Sequence, residues 1–201
     1  MKNSDTLVKL GDMVKVIPGA TNTTYAKEAS DTSTEFGLLI GSAVTAEGTV
    51  NLAALEPVWV EPGKDISRYL LQAGDVVLLA RGSAIRAALV SREVAATNVI
   101  ASANFLIIRT DASRIKPTVL LAYLNSPQGS AALIAQSSGA VIQSVSASSL
   151  AELNIPLPDM LAQNEIDELY QASTEAYRAT LALAEQQKVL ANARIVNLMW
   201  S

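Results

Sequence analysis

No glycine or proline interrupts the chain from Met160 to Trp200, and Ile166, Leu169, Tyr170, Tyr177, Leu181, Ala184, Ala191, Ile195 and Leu198 recur there at three- and four-residue steps. That is the period of one face of a helix. About 40 residues at about 1.5 Å each make a rod on the order of 60 Å long. A domain built from the rest of a 201-residue chain cannot cover such a rod along its whole length. The spare stripe needs a cover, most simply a second helix in a coiled coil. Folding back onto its own domain is the other solution. Small residues at Ser173, Ala176 and Ala184 favour close helix approach, whereas Gln187 and Lys188 weaken the seam. Ile166, Tyr170, Tyr177, Leu181 and Ile195 are the positions expected to face a partner.

The rod has a defined start. Pro156 and Pro158 push the residues before them out of the helical region, so Asn154–Leu157 is expected to be extended. Asp159 then suits the N-cap of the long helix. Just upstream, Ser138-Gly139 and Gln143-Ser144 read as a polar turn, followed by a short helical pattern around Ser148–Leu153. This divides the chain into a globular domain over 1–158 and a helix over 159–201.

The first two-thirds reads as mostly β. Leu7–Ile17, Phe36–Thr45, Pro57–Glu61, Asp75–Ala80, Ala87–Ser91 and Ala103–Thr110 are short runs rich in Val, Leu and Ile. Turn signals such as Pro18-Gly19, Glu47-Gly48, Pro62-Gly63 and Gly74-Asp75 bound them. This spacing suggests a curved sheet or partial barrel and not a βαβ parallel sheet. Pro117 suits the first turn of a helix that continues through Val119, Leu120, Tyr123 and Leu124, and Gly129–Gln136 reads as a second short helix. The expected fold class is α+β: a curved, mostly antiparallel β-sheet or partial barrel with short helices, followed by a long C-terminal α-helix.

Composition narrows the chemistry. The chain contains no cysteine and no histidine, which removes disulfides, thiolate metal sites and both Ser/His/Asp and Cys/His triads. It has no phosphate-binding loop of the G-x-x-x-x-G-K-[ST] type and no dinucleotide fingerprint. Asp65 and Asp75 lack the acidic and lysine companions of a carboxylate-metal nuclease and are expected in turns. A non-catalytic chain without cofactor or metal is expected. The apolar runs fall far short of the roughly 18 residues of a membrane span, and the polar, charged start does not read as a signal peptide. A soluble cytoplasmic protein is expected.

The net charge is −4. Residues 1–150 hold 12 basic and 12 acidic side chains, and residues 151–201 hold 3 and 7, so the excess sits in the helical part. A strong non-specific DNA binder carries a basic face, so any DNA binding here needs help from a partner. The intrinsic hint of DNA contact is the cluster Arg81, Arg86 and Arg92 around Gly82-Ser83. Arginine makes bidentate contacts to guanine or phosphate, and glycine lets backbone approach a groove. A solvated hairpin accounts for the same pattern. The polar loops around Thr21–Tyr25 and Gln136–Ser144 carry hydroxyls and amides able to read base edges, as loops on any surface do.

Five segments in order resemble the specificity subunits of type I restriction-modification systems. Leu10-Gly11-Asp12-Met13-Val14-Lys15-Val16 is similar to the opening strand of their target recognition domains. Leu71 to Gly82, LQAGDVVLLARG, resembles the "L..GD.L..R.G" middle segment. Ala101–Leu106 and the Pro117–Ser126 "P..LL.YLNS" helix follow in the family's order. Ser138-Gly139, Leu150 and Asn154–Pro158, with Gln163 and Ile166, are similar to the exit into a spacer helix. Two departures stand out. Ala162 occupies a position where the family commonly has Glu, so the capping box with Asp159 is missing. The usual subunit also has two recognition domains and two spacer helices, and this chain has one of each.

The resemblance implies a half-subunit: a non-catalytic protein that reads double-stranded DNA and directs a modification methyltransferase, and a restriction subunit where one exists. Two copies pairing their long helices antiparallel would read a two-part symmetric site, since operator symmetry mirrors protein symmetry. Arg81, Ser83, Arg86 and Gln143 are the expected DNA contacts. The alternative is an adaptor or decoy with the same fold that binds a partner through its acidic helix and reads no DNA.

Overall fold

In the computed structural model, which describes residues 6–82, 84–138 and 143–200, the elements in chain order are β1 (Thr6–Lys9), β2 (Val14–Pro18), β3 (Thr34–Leu39), β4 (Glu56–Val60), β5 (Val76–Leu79), β6 (Arg81–Gly82), β7 (Arg86–Leu89), α1 (Arg92–Ala95), β8 (Val99–Ala101), β9 (Phe105–Thr110), α2 (Pro117–Leu124), α3 (Pro127–Gln136), β10 (Gln143–Ser144), α4 (Ala147–Ala151), β11 (Asn154–Leu157) and α5 (Met160–Met199). An antiparallel sheet of four strands has the order β2-β9-β5-β7, and a second sheet has the order β4-β3-β8. Two short ladders, β1-β11 and β6-β10, complete the strand pairing. None of these sheets closes into a barrel among the described residues.

The unbroken apolar runs of β5 and β9 follow from burial on both faces. Successive strand side chains point to opposite sides. Val76, Leu78, Leu106 and Ile108 face a core shared with Leu120, Leu121 and Leu124 of α2 and Leu150 of α4. Val77, Leu79, Phe105 and Ile107 face a second core with Leu39, Val99 and Ala101 of the three-stranded sheet. The same alternation recurs one layer down, where Leu38 and Ile100 turn to a third cluster with Val58, Val60 and Ile66. The architecture is therefore a helical layer, a sheet and a second sheet, packed almost wholly with aliphatic side chains.

Several expectations shift in detail. The Leu7–Ile17 run is two strands, because a 3-10 turn at Leu10–Asp12 interrupts it. That turn frees β1 to pair antiparallel with β11, from Thr6↔Leu157 to Lys9↔Asn154, so the two ends of the domain are clasped together. Ser91 is not the end of a strand; its side chain accepts the Val94 N–H and caps α1. Ser126 likewise caps α3, whose first residue is Pro127. β8, too short to show a period in the sequence, pairs parallel with β3, whereas the other strand ladders among the described residues are antiparallel. The Pro18-Gly19 turn needs its glycine, since a Cβ at Gly19 would sit 2.0 Å from the Ser102 carbonyl oxygen.

Candidate nucleic-acid interface

Strand register decides which loops share a surface. Pro18 of β2 lies opposite Leu106 of β9, Phe105 opposite Leu79 of β5, and Leu79 opposite Arg86 of β7. The loop after β2, the β8–β9 turn, the β5–β7 connection and the β10 ladder therefore all leave from one end of the four-stranded sheet. Arg81 lies opposite Ser144 and Gly82 opposite Gln143 in the β6-β10 ladder. The Val145 N–H donates to the Ala80 carbonyl at 2.9 Å, and the Ala80 N–H to the Asn104 carbonyl at 2.8 Å, which anchors the ladder to the sheet.

Three of the four expected DNA contacts thus have backbones on this end. The Arg81 side chain is exposed. Arg86 is half-buried, and its Nε is enclosed without a hydrogen-bond partner among the described residues. Gln143 contributes its backbone to β10, and Ser83 lies outside the described residues. Gly82 has φ +152, with open space where a Cβ would project, so a ligand can approach its backbone. Arg92, close to these arginines in sequence, is separated from them: it begins α1 beyond Leu89, at the other end of β7. The Thr21–Tyr25 loop joins this end of the sheet and is held by Tyr25 Oη donating to Asn22 Oδ1 at 2.8 Å and Lys64 Nζ donating to the Thr23 carbonyl at 2.9 Å.

The opposite end of the sheet anchors α5. Asp75, only 2% exposed, precedes β5. Its carboxylate accepts Arg109 Nε at 2.9 Å and Nη2 at 2.8 Å, and the Gln72 N–H at 2.8 Å. This pairing raises the Arg109 pKa above its ordinary value. Asp75 sits in a turn as expected, with Gly74 at φ +88 before it, and is also half of a buried ion pair. In the segment that follows β9, Gln163 of α5 finds its partners; it is 1% exposed and fully hydrogen-bonded. Its Oε1 accepts the Lys116 N–H at 2.9 Å, and its Nε2 donates to the Arg114 and Pro158 carbonyls at 3.0 Å each. One turn on, Asp167 accepts Lys116 Nζ at 2.9 Å and Thr118 Oγ1 at 2.8 Å. The Lys116 hydrogen bond, aided by Thr118 and Gln171 against the opposing effect of burial, holds the Asp167 carboxyl below its usual range. Asp159 caps α5 through the Ala162 N–H at 2.9 Å. Sequence gave no signal for the roles of Arg109, Lys116 and Asp167, because their partners are remote in the chain.

The expected partner stripe divides in two. Ile166 and Tyr170 pack on the chain's own domain, so folding back and projecting outward both occur. Tyr177, whose hydroxyl donates to Glu47 Oε1 at 2.9 Å, is 43% exposed, and Leu181 and Ile195 are 51% and 55% exposed. Among the described residues no group of acidic side chains is placed to hold a metal ion, and no helix is long and apolar enough to cross a membrane.

These features define a layered α+β domain with a gathered loop end and a projecting helix. The fold is that of type I restriction-modification S subunits. The chain matches the HsdS subunit from Thermoanaerobacter tengcongensis with a TM-score of 0.58 and 23% identity, over 91% of this chain and 45% of that one. A chain from a structure on complex assembly and conformational transition of the type I R-M system matches with a TM-score of 0.61 and 24% identity, over the same shares. The S subunit of a type I restriction-modification system from M. genitalium matches with a TM-score of 0.50 and 16% identity, over 86% of this chain and 39% of that one. This chain therefore spans less than half the length of the solved chains it matches. No protein-family model matches the sequence, and no curated protein matches it.

Proposed function

We propose that this chain is a non-catalytic DNA-specificity subunit of a type I restriction-modification system. Residues 1–158 form the target recognition domain, and residues 159–201 form a helix that sets spacing and joins two copies in a homodimer. Its partners are double-stranded DNA, a modification methyltransferase and, where one exists, a restriction subunit, all in the cytoplasm. The observation that carries this reading is the fold match to S subunits over 91% of the chain. The segregation of Arg81, Arg86 and the β10 ladder to the end of the sheet away from the α5 anchor supports it. An exposed arginine on a short ladder with an open glycine beside it suits a groove-reading tip. Residues 1–150 have no excess of positive charge, so two domains acting together, with a methyltransferase, supply the affinity one domain lacks.

The test is selection from random duplexes by the complex that the tagged chain retains from its host. Enrichment of a two-part symmetric motif, together with recovery of an adenine-type methyltransferase, is the expected result. Methyltransferase recovery without any enriched motif would refute DNA reading and leave the adaptor reading in its place.

A further inference from the structure

The loop between β2 and β3 opens with four polar residues, Thr21–Thr24, whose shape is fixed from several sides. The Gly19 N–H donates to the Phe105 carbonyl at 2.9 Å and the Ala20 N–H to the Ala101 carbonyl at 2.7 Å, which ties the loop's root to β8 and β9. The Thr24 N–H closes a turn onto the Thr21 carbonyl at 2.8 Å. Lys64, from the turn after β4, reaches across and donates to the Thr23 carbonyl at 2.9 Å and the Thr24 carbonyl at 3.4 Å. Tyr25, only 8% exposed, donates its hydroxyl to Asn22 Oδ1. What remains for a ligand is a surplus of donors. Asn22 has its oxygen turned to the Tyr25 hydroxyl, and its amide nitrogen makes no hydrogen bond among the described residues. An ammonium has three N–H groups; Lys64 gives two to carbonyls, and it has no ion pair among the described residues. The Thr21 hydroxyl lies 2.9 Å from that of Thr23 and 3.4 Å from that of Thr24, and two contacts among three hydroxyls leave one O–H to spend outward. The carboxylates beside Lys64 in the chain are occupied elsewhere: Asp65 accepts the Ser67 N–H, and Glu61 accepts the hydroxyls of Ser30 and Thr32.

We propose that Asn22, Thr23 and Lys64 clamp one phosphate of the DNA backbone and so set the register in which Arg81 meets a base. The inference rests on the DNA-reading function above and gives this loop a positioning role within it. Exposed donors with one net positive charge and no free carboxylate beside them suit an anionic oxygen. They do not suit a base edge. An asparagine reads adenine with its oxygen and nitrogen side by side, and here the oxygen faces inward to Tyr25. The loop that the sequence offered as a reader of bases therefore holds the backbone instead. Phosphate contacts fix register and orientation, whereas contacts to base edges carry the sequence information. In a domain without excess positive charge, the clamp adds affinity on any sequence, and the β6-β10 ladder supplies the discrimination.

The test is a salt titration of the complex retained by the tagged chain, on the duplex it selects and on a scrambled one. Lys64→Gln is expected to make the slope of log affinity against log salt shallower by about 0.9, the share of one phosphate. The parent's advantage over it should then shrink about 3.5-fold between about 50 and about 200 mM salt. Both duplexes should lose affinity equally, so that their ratio is unchanged, and Lys64→Arg should keep the parent slope. Asn22→Asp retains the oxygen that Tyr25 needs but turns a negative charge toward the phosphate, and it should weaken binding to both duplexes alike. An unchanged slope in Lys64→Gln, with only a lower melting midpoint, would overturn the proposal and leave Lys64 a brace for the loop. A changed base preference in Asn22→Asp would overturn it in favour of base reading by the loop. A parent complex that binds the two duplexes equally would overturn the DNA-reading function itself, and the clamp with it.

Discussion

Replacing Gln163 by leucine tests whether this one buried amide fastens α5 to the recognition domain. Leucine fills similar space but can pair with nothing. One backbone N–H, that of Lys116, and two carbonyls, those of Arg114 and Pro158, would lose their partners at a site only 1% exposed. An unsatisfied buried polar group costs about 1–3 kcal/mol, with carbonyls at the low end because a second lone pair remains available. The sum is about 3 kcal/mol, which for a protein of this size lowers the melting temperature by about 10 °C. Asn164→Leu, one residue on and exposed, is the control and should stay within about 0.5 kcal/mol of the parent. Urea denaturation is the assay, read as a shift in midpoint at constant slope. Hydrogen exchange adds a local readout, because the Lys116 amide should lose its protection in Gln163→Leu and keep it in Asn164→Leu. If the two variants melt together and the Lys116 amide remains protected, the amide does not anchor the helix.

Asp167 adds a pH-dependent share. Its carboxyl is held below the ordinary value, chiefly by the hydrogen bond from Lys116, so its contribution is present above the unfolded value and is lost as pH falls through the folded one. Asp167→Asn should therefore destabilise the protein at neutral pH and cost little well below about pH 3.9, the ordinary aspartate value; equal losses at both pH values would refute the assignment. Arg109→Leu leaves the Asp75 carboxylate buried with only the Gln72 N–H, at a cost of about 3 kcal/mol. The double variant Asp75→Leu/Arg109→Leu should recover part of that loss in the same denaturation experiment, since removing both charges ends the desolvation penalty. Arg81→Ala should weaken DNA binding by about 1–3 kcal/mol and relax preference at one base pair if Arg81 reads a base. An unchanged affinity in a titration would sink that role.

The parts of the fold legible in the sequence were those specified by neighbouring residues. Asp159 caps α5, Pro117 opens α2, and Pro156 and Pro158 frame an extended β11, because capping and proline sterics act within a few residues. β8 escaped notice because Val-Ile-Ala is too short to show a period, and its parallel partner β3 is some sixty residues away. The β6-β10 ladder has only two residue pairs, and nothing local marks it. The arginine cluster shows the opposite error. Arg81, Arg86 and Arg92 are near in sequence, yet β7 carries Arg92 to the far end of the sheet. Conversely, Gln163 was visible only as a family-like position, and its purpose emerged once Lys116, Arg114 and Pro158 were seen around it.

The joint at Gln163 and Asp167 also acts as a fulcrum. With about 50 Å of helix beyond that joint, a tilt of about 4° there would displace the far end by about 3.4 Å, the rise of one base pair. Hydrogen bonds that merely hold the helix on would permit such a swing. Three at one buried amide, with a charged clamp one turn later, resist rotation about more than one axis. In the proposed dimer this stiffness becomes a ruler, so that the number of unread base pairs between the two half-sites is set by the packing around a single glutamine.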